Sequence, residues 1–189
     1  MLPLRQTDHP QFFRLANYYR SQTDPFTCGP VSGAIVLNAL RHKSGFPRTW
    51  TSFLNERAQS IRSLAQIYDR DRPGMSAAEL HDILAVAHDL KVIFSSGADG
   101  PRLKVNLVAA LATRNQFVIA NFSRETLGQE GNGHFSPLGA YDEASDSFFV
   151  LDTNPAVSPW VWVPAEKLIV AMATRDGVAH RGALIVEDR

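Results

Sequence analysis

The apolar periodicity of the chain changes along its length, and this change constrains the fold more than any other feature. Helical spacing predicts helices at residues 10–19, 28–42, 51–68, 76–90 and 103–113. Short strands are predicted at residues 91–95, 116–122, 134–141, 147–152, 161–163 and 182–187, with one more helix at 164–173. Helices followed by strands predict an α+β fold, in which an N-terminal helical half packs on a mostly antiparallel C-terminal sheet and leaves a cleft between them.

Length and charge narrow the class of protein. The 189 residues favour a single domain over residues 1–189 with a sizeable core. The formal net charge is zero and the chain has no basic run, so nothing favours nucleic acid as a partner. No apolar run is long enough to span a bilayer, and residues 1–10 lack the pattern of a secretory signal. We therefore expect a cytoplasmic protein, or a periplasmic one if a signal was removed before the numbering begins. The sequence leaves open a monomer or a homodimer.

The single cysteine, Cys28, opens one of the predicted helices. A lone cysteine excludes an intramolecular disulfide and a cysteine-rich metal cluster. The partial positive charge of a helix N-terminus favours a thiolate, which is the reactive form. Gln22 lies six residues earlier, where its amide and the Cys28 backbone N–H can converge on an oxyanion. The alternative is a buried cysteine that packs as a small apolar side chain, and spacing alone does not decide between the two.

Two later segments offer partners for a thiolate. His134 lies where a glycine-rich loop becomes a strand, a position that favours a cleft over a core. Asp152 ends an apolar strand that we expect to pair with the His134 strand, so its carboxylate can orient the imidazole. The alternatives are a surface or packed histidine and an aspartate that caps the turn before Pro155. Asn154 is a second candidate for the orienting role.

The order Gln–Cys–His–Asp resembles papain-like cysteine peptidases, and the detailed motifs resemble one branch of them, the phytochelatin synthases. The matching segments are the Gln–Cys–Gly segment at 22–29 with Leu-Asn-Ala-Leu at 37–40, Gly-x-Gly-His-Phe-Ser-Pro-x-Gly-x-Tyr at 131–141, Trp-Val-Pro at 162–164, and Asp176 followed by Arg-Gly at 181–182. The resemblance covers about residues 18–187. It implies a papain-like fold with the active site between the helical and sheet halves.

The resemblance implies that the chain is a glutathione γ-glutamylcysteinyltransferase or glutathione hydrolase. Cys28 would attack the Cys–Gly carbonyl of glutathione, and His134 would protonate the departing glycine. Asp152 would orient His134, and Gln22 would stabilise the oxyanion. The γ-Glu-Cys thioester would then pass to water, or to a second glutathione in phytochelatin synthesis.

The resemblance also implies a set of substrate-binding residues. Arg124 and Arg181 would hold the donor α-carboxylate, and Asp176 would pair with its α-ammonium. Asn121, three residues before Arg124, and Gly133, next to His134, would complete the pocket. Without the resemblance, each charged member of this set is better explained as an exposed charge on a turn.

Metal is implied only as part of the substrate. Heavy-metal ions such as Cd²⁺ would enter as metal-thiolate glutathione, and no cofactor would be bound covalently. His81 and His88 share one face of a predicted helix, but no third ligand follows, so we expect a solvated face and no metal site.

Two departures separate this chain from plant members of the family. The basic, aromatic stretch that follows the aspartate in those members is absent after Asp152, and no cysteine-rich extension follows Arg189. The resemblance is therefore to the short bacterial-type form, which implies glutathione hydrolysis more than polymer synthesis. The competing hypotheses are a cysteine peptidase that processes leader peptides and a non-catalytic thiol-binding module.

Overall fold

The protein consists of an antiparallel sheet with helices on both of its faces. The computed structural model describes residues 10–41 and 48–189, so the predicted end of the second helix at His42 and most of the segment tested for a signal lie outside the described residues. The helices are α1 Pro10–Tyr18, α2 Cys28–Leu40, α3 Trp50–Phe53, α4 Glu56–Ile61, α5 Leu64–Ile67, α6 Ala77–Asp82, α7 Gly100–Ala112 and α8 Ala165–Met172. The strands are β1 Leu90–Ser96, β2 Phe117–Ser123, β3 Gly133–Asp142, β4 Ser147–Val150, β5 Val161–Pro164, β6 Arg175–Asp176, β7 Ala179–His180 and β8 Gly182–Asp188.

Six of the strands form the main sheet, in the order β1-β8-β2-β3-β4-β5, and every neighbouring pair is antiparallel. β6 and β7 form a separate two-stranded hairpin that lies between α8 and β8 in the chain. The expected α+β fold with a mostly antiparallel C-terminal sheet is confirmed. The β6–β7 hairpin was not predicted, because two-residue strands are too short to show an alternating pattern.

Apolar side chains alternate between the two faces of the sheet and form two cores. On β2, Phe117 and Ile119 contact the core beneath α1 and α2, whereas Val118 and Ala120 contact the core beneath α7 and α8. This alternation follows from the two-residue period of a strand. The helices of the N-terminal half therefore cover one face, and α7 and α8 cover the other.

The helix α2 lies in the centre of the first core. Its side chains are buried from Cys28 to Ala39, as expected for a helix that is apolar on every side. Gly33 lets this helix approach α3 closely, because a Cβ at residue 33 would overlap the ring of Phe53. Ser32 Oγ donates a hydrogen bond to the Phe135 carbonyl on β3, 3.1 Å away. This packing places the first turn of α2 beside the start of β3.

The predicted helix at 51–68 is wrong in its continuity, since three short helices occupy the segment. Asn55 and Ser63 interrupt it by capping the N-termini of α4 and α5, where their side chains accept backbone N–H bonds of 2.9 Å and 3.2 Å. Side chains of this kind compete with helical hydrogen bonds and favour helix starts. None of the helices in the described ranges is long and apolar enough to cross a bilayer.

Candidate active site

The cysteine and its predicted partners meet in one cleft between the helical layer and the sheet. Cys28 is the first residue of α2, His134 is the second residue of β3, and Asp152 lies two residues after the end of β4. β3 and β4 are hydrogen-bonded neighbours, which brings the histidine and aspartate segments together. The cleft has a volume of about 510 Å³ and is lined by Cys28, His134 and Gln22, among others. That volume suits a small-molecule ligand.

The imidazole of His134 is held by two oxygen atoms on its Nε2 side. Nε2 lies 3.0 Å from Asp152 Oδ1 and 2.9 Å from Ser136 Oγ. His134 and Asp152 are almost completely buried, with 3% and 1% of their surface exposed. Because Nε2 faces these two oxygens, Nδ1 is the ring nitrogen that is left for Cys28, which lines the same cleft.

The pKa values of the pair favour an ionised thiol. Burial opposes the thiolate of Cys28, but the hydrogen bond and positive charge of His134 outweigh it, so the pKa of the thiol is lowered. Burial likewise opposes the imidazolium, but the hydrogen bonds that its N–H groups donate to Asp152 and Cys28 raise the pKa of His134. The pKa of Asp152 is lowered despite its burial, because His134 and Arg124 stabilise the carboxylate. The arrangement therefore stabilises a thiolate beside an imidazolium, which is the state that a nucleophilic cysteine requires.

Gln22 is buried beside Cys28 and is held at both ends of its amide. Its Oε1 accepts a hydrogen bond of 3.0 Å from Thr153 Oγ1, and its Nε2 donates one of 2.7 Å to the Asp24 carbonyl. A second backbone bond of 2.7 Å joins the Gln22 N–H to the Thr153 carbonyl. The other N–H of Nε2 has no partner in these contacts and remains for a ligand in the cleft.

Arg124 is the predicted substrate residue that the structure places most differently from expectation. Its Nη1 and Nη2 lie 3.0 Å and 2.8 Å from Asp152 Oδ2 and Oδ1, so the guanidinium donates two hydrogen bonds to the carboxylate. Gln129 Oε1 accepts a third bond from Nη1, 2.7 Å long. Arg124 is 3% exposed, although it also lines the cleft.

The remaining predicted substrate residues also line this cleft; they are Asn121, Gly133, Asp176 and Arg181. Arg181 Nη1 lies 3.5 Å from Asp176 Oδ2. The guanidinium of Arg181 lies over Gly133, where a Cβ would overlap it. Asn121 Nδ2 donates to the His134 carbonyl, 3.3 Å away. Asn121 Oδ1 and Arg181 Nε are both buried and have no hydrogen-bond partner.

Asn154, the second candidate for orienting the histidine, contributes through its backbone. Its N–H donates a 2.8 Å bond to Asp152 Oδ1, and its side chain lines the cleft. Asp152 is thus the residue whose side chain contacts the imidazole of His134.

The expected solvated face of His81 and His88 is wrong for His88, which is buried. Its Nε2 lies 2.8 Å from the Phe53 carbonyl, its Nδ1 lies 3.3 Å from Arg48, and its ring stacks on that of Phe53. A helix face that looked polar in sequence therefore supplies a core histidine whose hydrogen bonds are satisfied. Within residues 10–41 and 48–189, no group of three or more His, Cys, Asp or Glu side chains is placed to hold a metal ion.

Three site residues were missed by sequence reasoning. Ser136 lies two residues after His134 on the same strand and so shares its face, which was the available signal. Thr153 follows Asp152 directly and bridges to Gln22. Tyr19, just after the end of α1, donates a 2.7 Å hydrogen bond to the Asp152 carbonyl. No sequence pattern near Tyr19 predicts that contact.

The fold and the site define a papain-like protein with a cysteine–histidine pair in its cleft. The family model for phytochelatin synthase matches residues 3–183, and the chain belongs to this family. Among solved structures, UfSP from C. elegans matches with a TM-score of 0.50 and 12% identity, over 91% of this chain and 32% of that one. At this identity the likeness bears on the fold alone, and it agrees with a papain-like architecture.

Three curated relatives come from plants and yeast. Glutathione gamma-glutamylcysteinyltransferase 2 of Arabidopsis thaliana is 29% identical over 87% of this chain and 36% of its own length. Glutathione gamma-glutamylcysteinyltransferase 3 of Lotus japonicus is 28% identical over 93% of this chain and 37% of its own length. The Schizosaccharomyces pombe glutathione gamma-glutamylcysteinyltransferase is 26% identical over 93% of this chain and 43% of its own length. The chain thus spans well under half of each relative.

Proposed function

We propose that this protein cleaves glutathione by cysteine acyl transfer, releasing glycine and forming a γ-Glu-Cys thioester on Cys28. The observation that carries the proposal is that Cys28 and His134 line one cleft, with His134 Nε2 3.0 Å from Asp152 Oδ1, in a member of the phytochelatin synthase family. The names of the three relatives agree with it. They favour neither a peptidase for leader peptides nor a non-catalytic thiol-binding module.

In the first half of the reaction, the Cys28 thiolate attacks the carbonyl carbon of the Cys–Gly bond. The free N–H of Gln22 Nε2 and the backbone N–H of Cys28 donate to the resulting oxyanion, each such donor being worth about 3 kcal/mol. His134 Nδ1–H then protonates the departing glycine nitrogen, which breaks the C–N bond and leaves a neutral imidazole. Asp152 keeps the Nε2–H in place throughout, so the proton always leaves from the nitrogen that faces the substrate.

The second half returns the enzyme to its starting state. The neutral Nδ1 of His134 accepts a proton from water, which attacks the thioester carbonyl. Collapse of the tetrahedral adduct expels the Cys28 thiolate, releases γ-Glu-Cys and leaves the imidazolium beside the sulfur. A second glutathione can take the place of water through its α-amino group, and the product is then a longer peptide.

Two buried polar atoms in the lining of the cleft suit the γ-glutamyl head group of the donor. Asn121 Oδ1 is an acceptor and Arg181 Nε–H a donor, and both are buried without a partner. Buried polar groups of this kind are costly unless something pairs with them. An α-ammonium and an α-carboxylate supply one donor and one acceptor of the required kinds, and Asp176 adds a carboxylate for the ammonium.

The charges of the cleft favour water over a second glutathione as the acceptor. Apart from His134, the only positively charged side chains among the described lining residues are Arg124 and Arg181. Arg124 is engaged by Asp152, and we assign Arg181 to the donor. The acceptor glutathione would bring two carboxylates to a wall that includes Pro25 and Val157 and offers no cation. We therefore propose that hydrolysis predominates, and that Cd²⁺ acts by converting glutathione into a metal-thiolate substrate.

One assay tests the proposal. The protein is incubated with glutathione, with and without Cd²⁺, and free glycine, γ-Glu-Cys and longer peptides are quantified. We expect the glycine released to equal the free γ-Glu-Cys plus the γ-Glu-Cys units transferred to longer peptides, with the longer peptides the smaller share. We also expect loss of all products in Cys28→Ala. Glycine release that persists in Cys28→Ala, or the absence of release by the unaltered protein, would overturn the proposal. Cleavage of double-glycine leader peptides in place of glutathione would favour the leader-peptide peptidase.

A further inference from the structure

The Arg124–Asp152 ion pair is almost completely buried at the site, and the proposed reaction does not use it directly. The side chains are 4% and 1% exposed. Both carboxylate oxygens of Asp152 accept from the guanidinium, and Oδ1 also accepts from His134 Nε2 at 3.0 Å and from the Asn154 N–H at 2.8 Å. These hydrogen bonds, which orient the Asp152 carboxylate, thus come from Arg124, His134 and Asn154.

The loop after β2 holds the guanidinium in place. The Arg124 N–H donates to the Asn132 carbonyl at 2.8 Å, and the Gln129 N–H donates to the Arg124 carbonyl at 3.0 Å. Gln129 Oε1 adds the 2.7 Å bond to Nη1. Backbone hydrogen bonds within the loop therefore fix the position of Arg124, and its guanidinium is held by Gln129 and Asp152 without any ligand.

A two-point contact of this kind fixes the plane of a carboxylate. A guanidinium presents its N–H groups as a rigid fork that matches the two oxygens, which an ammonium cannot do. An aspartate that was bound only by the histidine could rotate about its side-chain bonds and lose its alignment with Nε2. Removal of the arginine would also leave a buried carboxylate with one charged partner fewer, which is costly.

We propose that Arg124 is a positioning residue that holds the Asp152 carboxylate in the orientation in which Oδ1 faces His134 Nε2. Arg124 acts through Asp152 on the imidazole, and through the imidazole on the thiolate of Cys28. This role differs from the donor-carboxylate role that the family resemblance implied. The inference rests on the proposed function only in that Cys28 and His134 are taken as the reacting pair.

The charged groups around the Arg124–Asp152 pair come from several elements. Among the described residues, Arg124 and His134 face the Asp152 side chain, and Cys28 faces His134 from α2. Tyr19 approaches from the end of α1 and donates to the Asp152 carbonyl. Replacing Arg124 removes the alignment of the Asp152 carboxylate with His134, and a misaligned carboxylate stabilises the imidazolium–thiolate pair less.

Alkylation of Cys28 by iodoacetamide provides a readout that needs no glutathione. Cys28 is the only cysteine of the chain, so the rate reports one thiol. In Arg124→Gln we expect the pH profile of alkylation to shift upward by about one unit, which is about a tenfold lower rate on its acidic side. Arg124→Lys keeps the charge but loses the fork, and we expect an intermediate shift. Arg181→Gln, which changes the other cleft arginine, should leave the alkylation profile in place while raising the KM for glutathione.

The Asp152→Asn background separates positioning from a purely structural role. If Arg124 acts through Asp152, then Arg124→Gln should produce no further shift of the profile in that background. The double variant also removes both charges together, so it keeps the test available should Arg124→Gln fail to fold, as judged by circular dichroism. An alkylation profile equal to that of the unaltered protein in Arg124→Gln, combined with a large rise in KM, would overturn the inference and assign Arg124 to substrate binding. Failure of glycine release would instead count against the proposed function, since alkylation does not depend on it.

Discussion

The guanidinium of Arg181 occupies the space in which a side chain at residue 133 would lie. A Cβ on Gly133 would overlap Nη1, Nη2 and Cζ of Arg181, which also reaches Asp176 at 3.5 Å. The glycine has an ordinary strand conformation, since it is absent from the positive-φ residues of the described chain. Its small size therefore serves the position of the arginine and not the backbone of β3.

We expect Gly133→Ala to fold normally and to bind glutathione less well. The methyl group would push the flexible end of Arg181 aside and disturb the proposed donor site. The expected result is a rise in KM of about tenfold, corresponding to about 1.4 kcal/mol, with little change in kcat. Steady-state glycine release measures both constants, and a thermal melt checks the fold. Because both changes act on the same contact, the double variant Gly133→Ala/Arg181→Gln should be no worse than Arg181→Gln alone, and an additive loss would contradict this explanation.

The pKa shifts of the reacting pair predict a bell-shaped pH profile. The lowered pKa of Cys28 places the rising limb at lower pH than an ordinary thiol would allow, and the raised pKa of His134 places the falling limb at higher pH than an ordinary imidazole would. The two limbs belong to the coupled pair and not to either residue alone. In Asp152→Asn the imidazolium loses its carboxylate, so we expect the falling limb of kcat/KM to move to lower pH by about one unit.

Asn154→Ala is the matched control for that shift. It removes the side chain of the second orienting candidate but keeps the backbone N–H that contacts Asp152. The falling limb should stay where it is in the unaltered protein. A shift of the falling limb in Asn154→Ala, without one in Asp152→Asn, would contradict the role given to Asp152 and would show that Asn154 orients His134.

The centre of the site was predictable because its residues lie at element boundaries with strong local signals. Cys28 opens an apolar helix, and His134 follows a glycine-rich loop. These positions predicted one cleft, and the structure places both residues in it, whereas their chemical roles remain predictions. The pairing of β3 with β4, on which the position of Asp152 depended, is also present.

The contacts that sequence reasoning missed are set by tertiary packing. Arg124 looked like a free charge on a turn or a ligand for substrate, since nothing near it in sequence announces Asp152, 28 residues away. His88 looked exposed because helical spacing put it with His81. The π-helical turn Ile83–Ala87, which continues α6, ends just before His88, and Asp89 follows with a left-handed φ of 54°. Its partner Phe53 is 35 residues away in sequence, so its burial depends on packing between distant segments.

Ser136 gives a sharp test of how the imidazole is held. Its Oγ lies 2.9 Å from His134 Nε2 and accepts a 3.2 Å bond from the Thr153 N–H. We expect Ser136→Ala to lower kcat for glycine release by about tenfold, or about 1.4 kcal/mol, because the ring loses one of its two oxygen partners. The KM should change little, since Ser136 is not among the described residues that line the cleft.

Ser32→Ala is the matched control for Ser136→Ala. Ser32 is equally buried and bonds the Phe135 carbonyl at 3.1 Å, but none of its hydrogen bonds reaches His134. Each variant should lose about 1 kcal/mol of unfolding free energy for every buried hydrogen bond that it removes, which is one in Ser32→Ala and two in Ser136→Ala. Only Ser136→Ala should lose kcat, and an equal loss in the two variants would show that the effect is structural.

The lowered pKa of His88 predicts that the free energy of unfolding falls in mild acid, for a reason unrelated to catalysis. Burial and the nearby Arg48 lower the pKa of His88 from 6.5 to about 4, while its bond to the Phe53 carbonyl acts in the opposite direction. The unfolded chain therefore binds a proton before the folded protein does. The resulting stabilisation is complete above pH 6.5 and is lost as the pH falls towards 4. It amounts to about 2 kcal/mol once partial solvent screening is allowed for.

Urea unfolding of the unaltered protein and of His88→Gln at several pH values measures this contribution. Glutamine can still donate to the Phe53 carbonyl but does not titrate. The difference in unfolding free energy between the two proteins should therefore be largest at pH 8 and shrink by about 2 kcal/mol at pH 4. A difference that stays constant between pH 8 and pH 4 would show that His88 is not the group responsible. Cys28 alkylation at pH 8 should be the same in both proteins, because His88 contacts Phe53 and Arg48 and not the cleft.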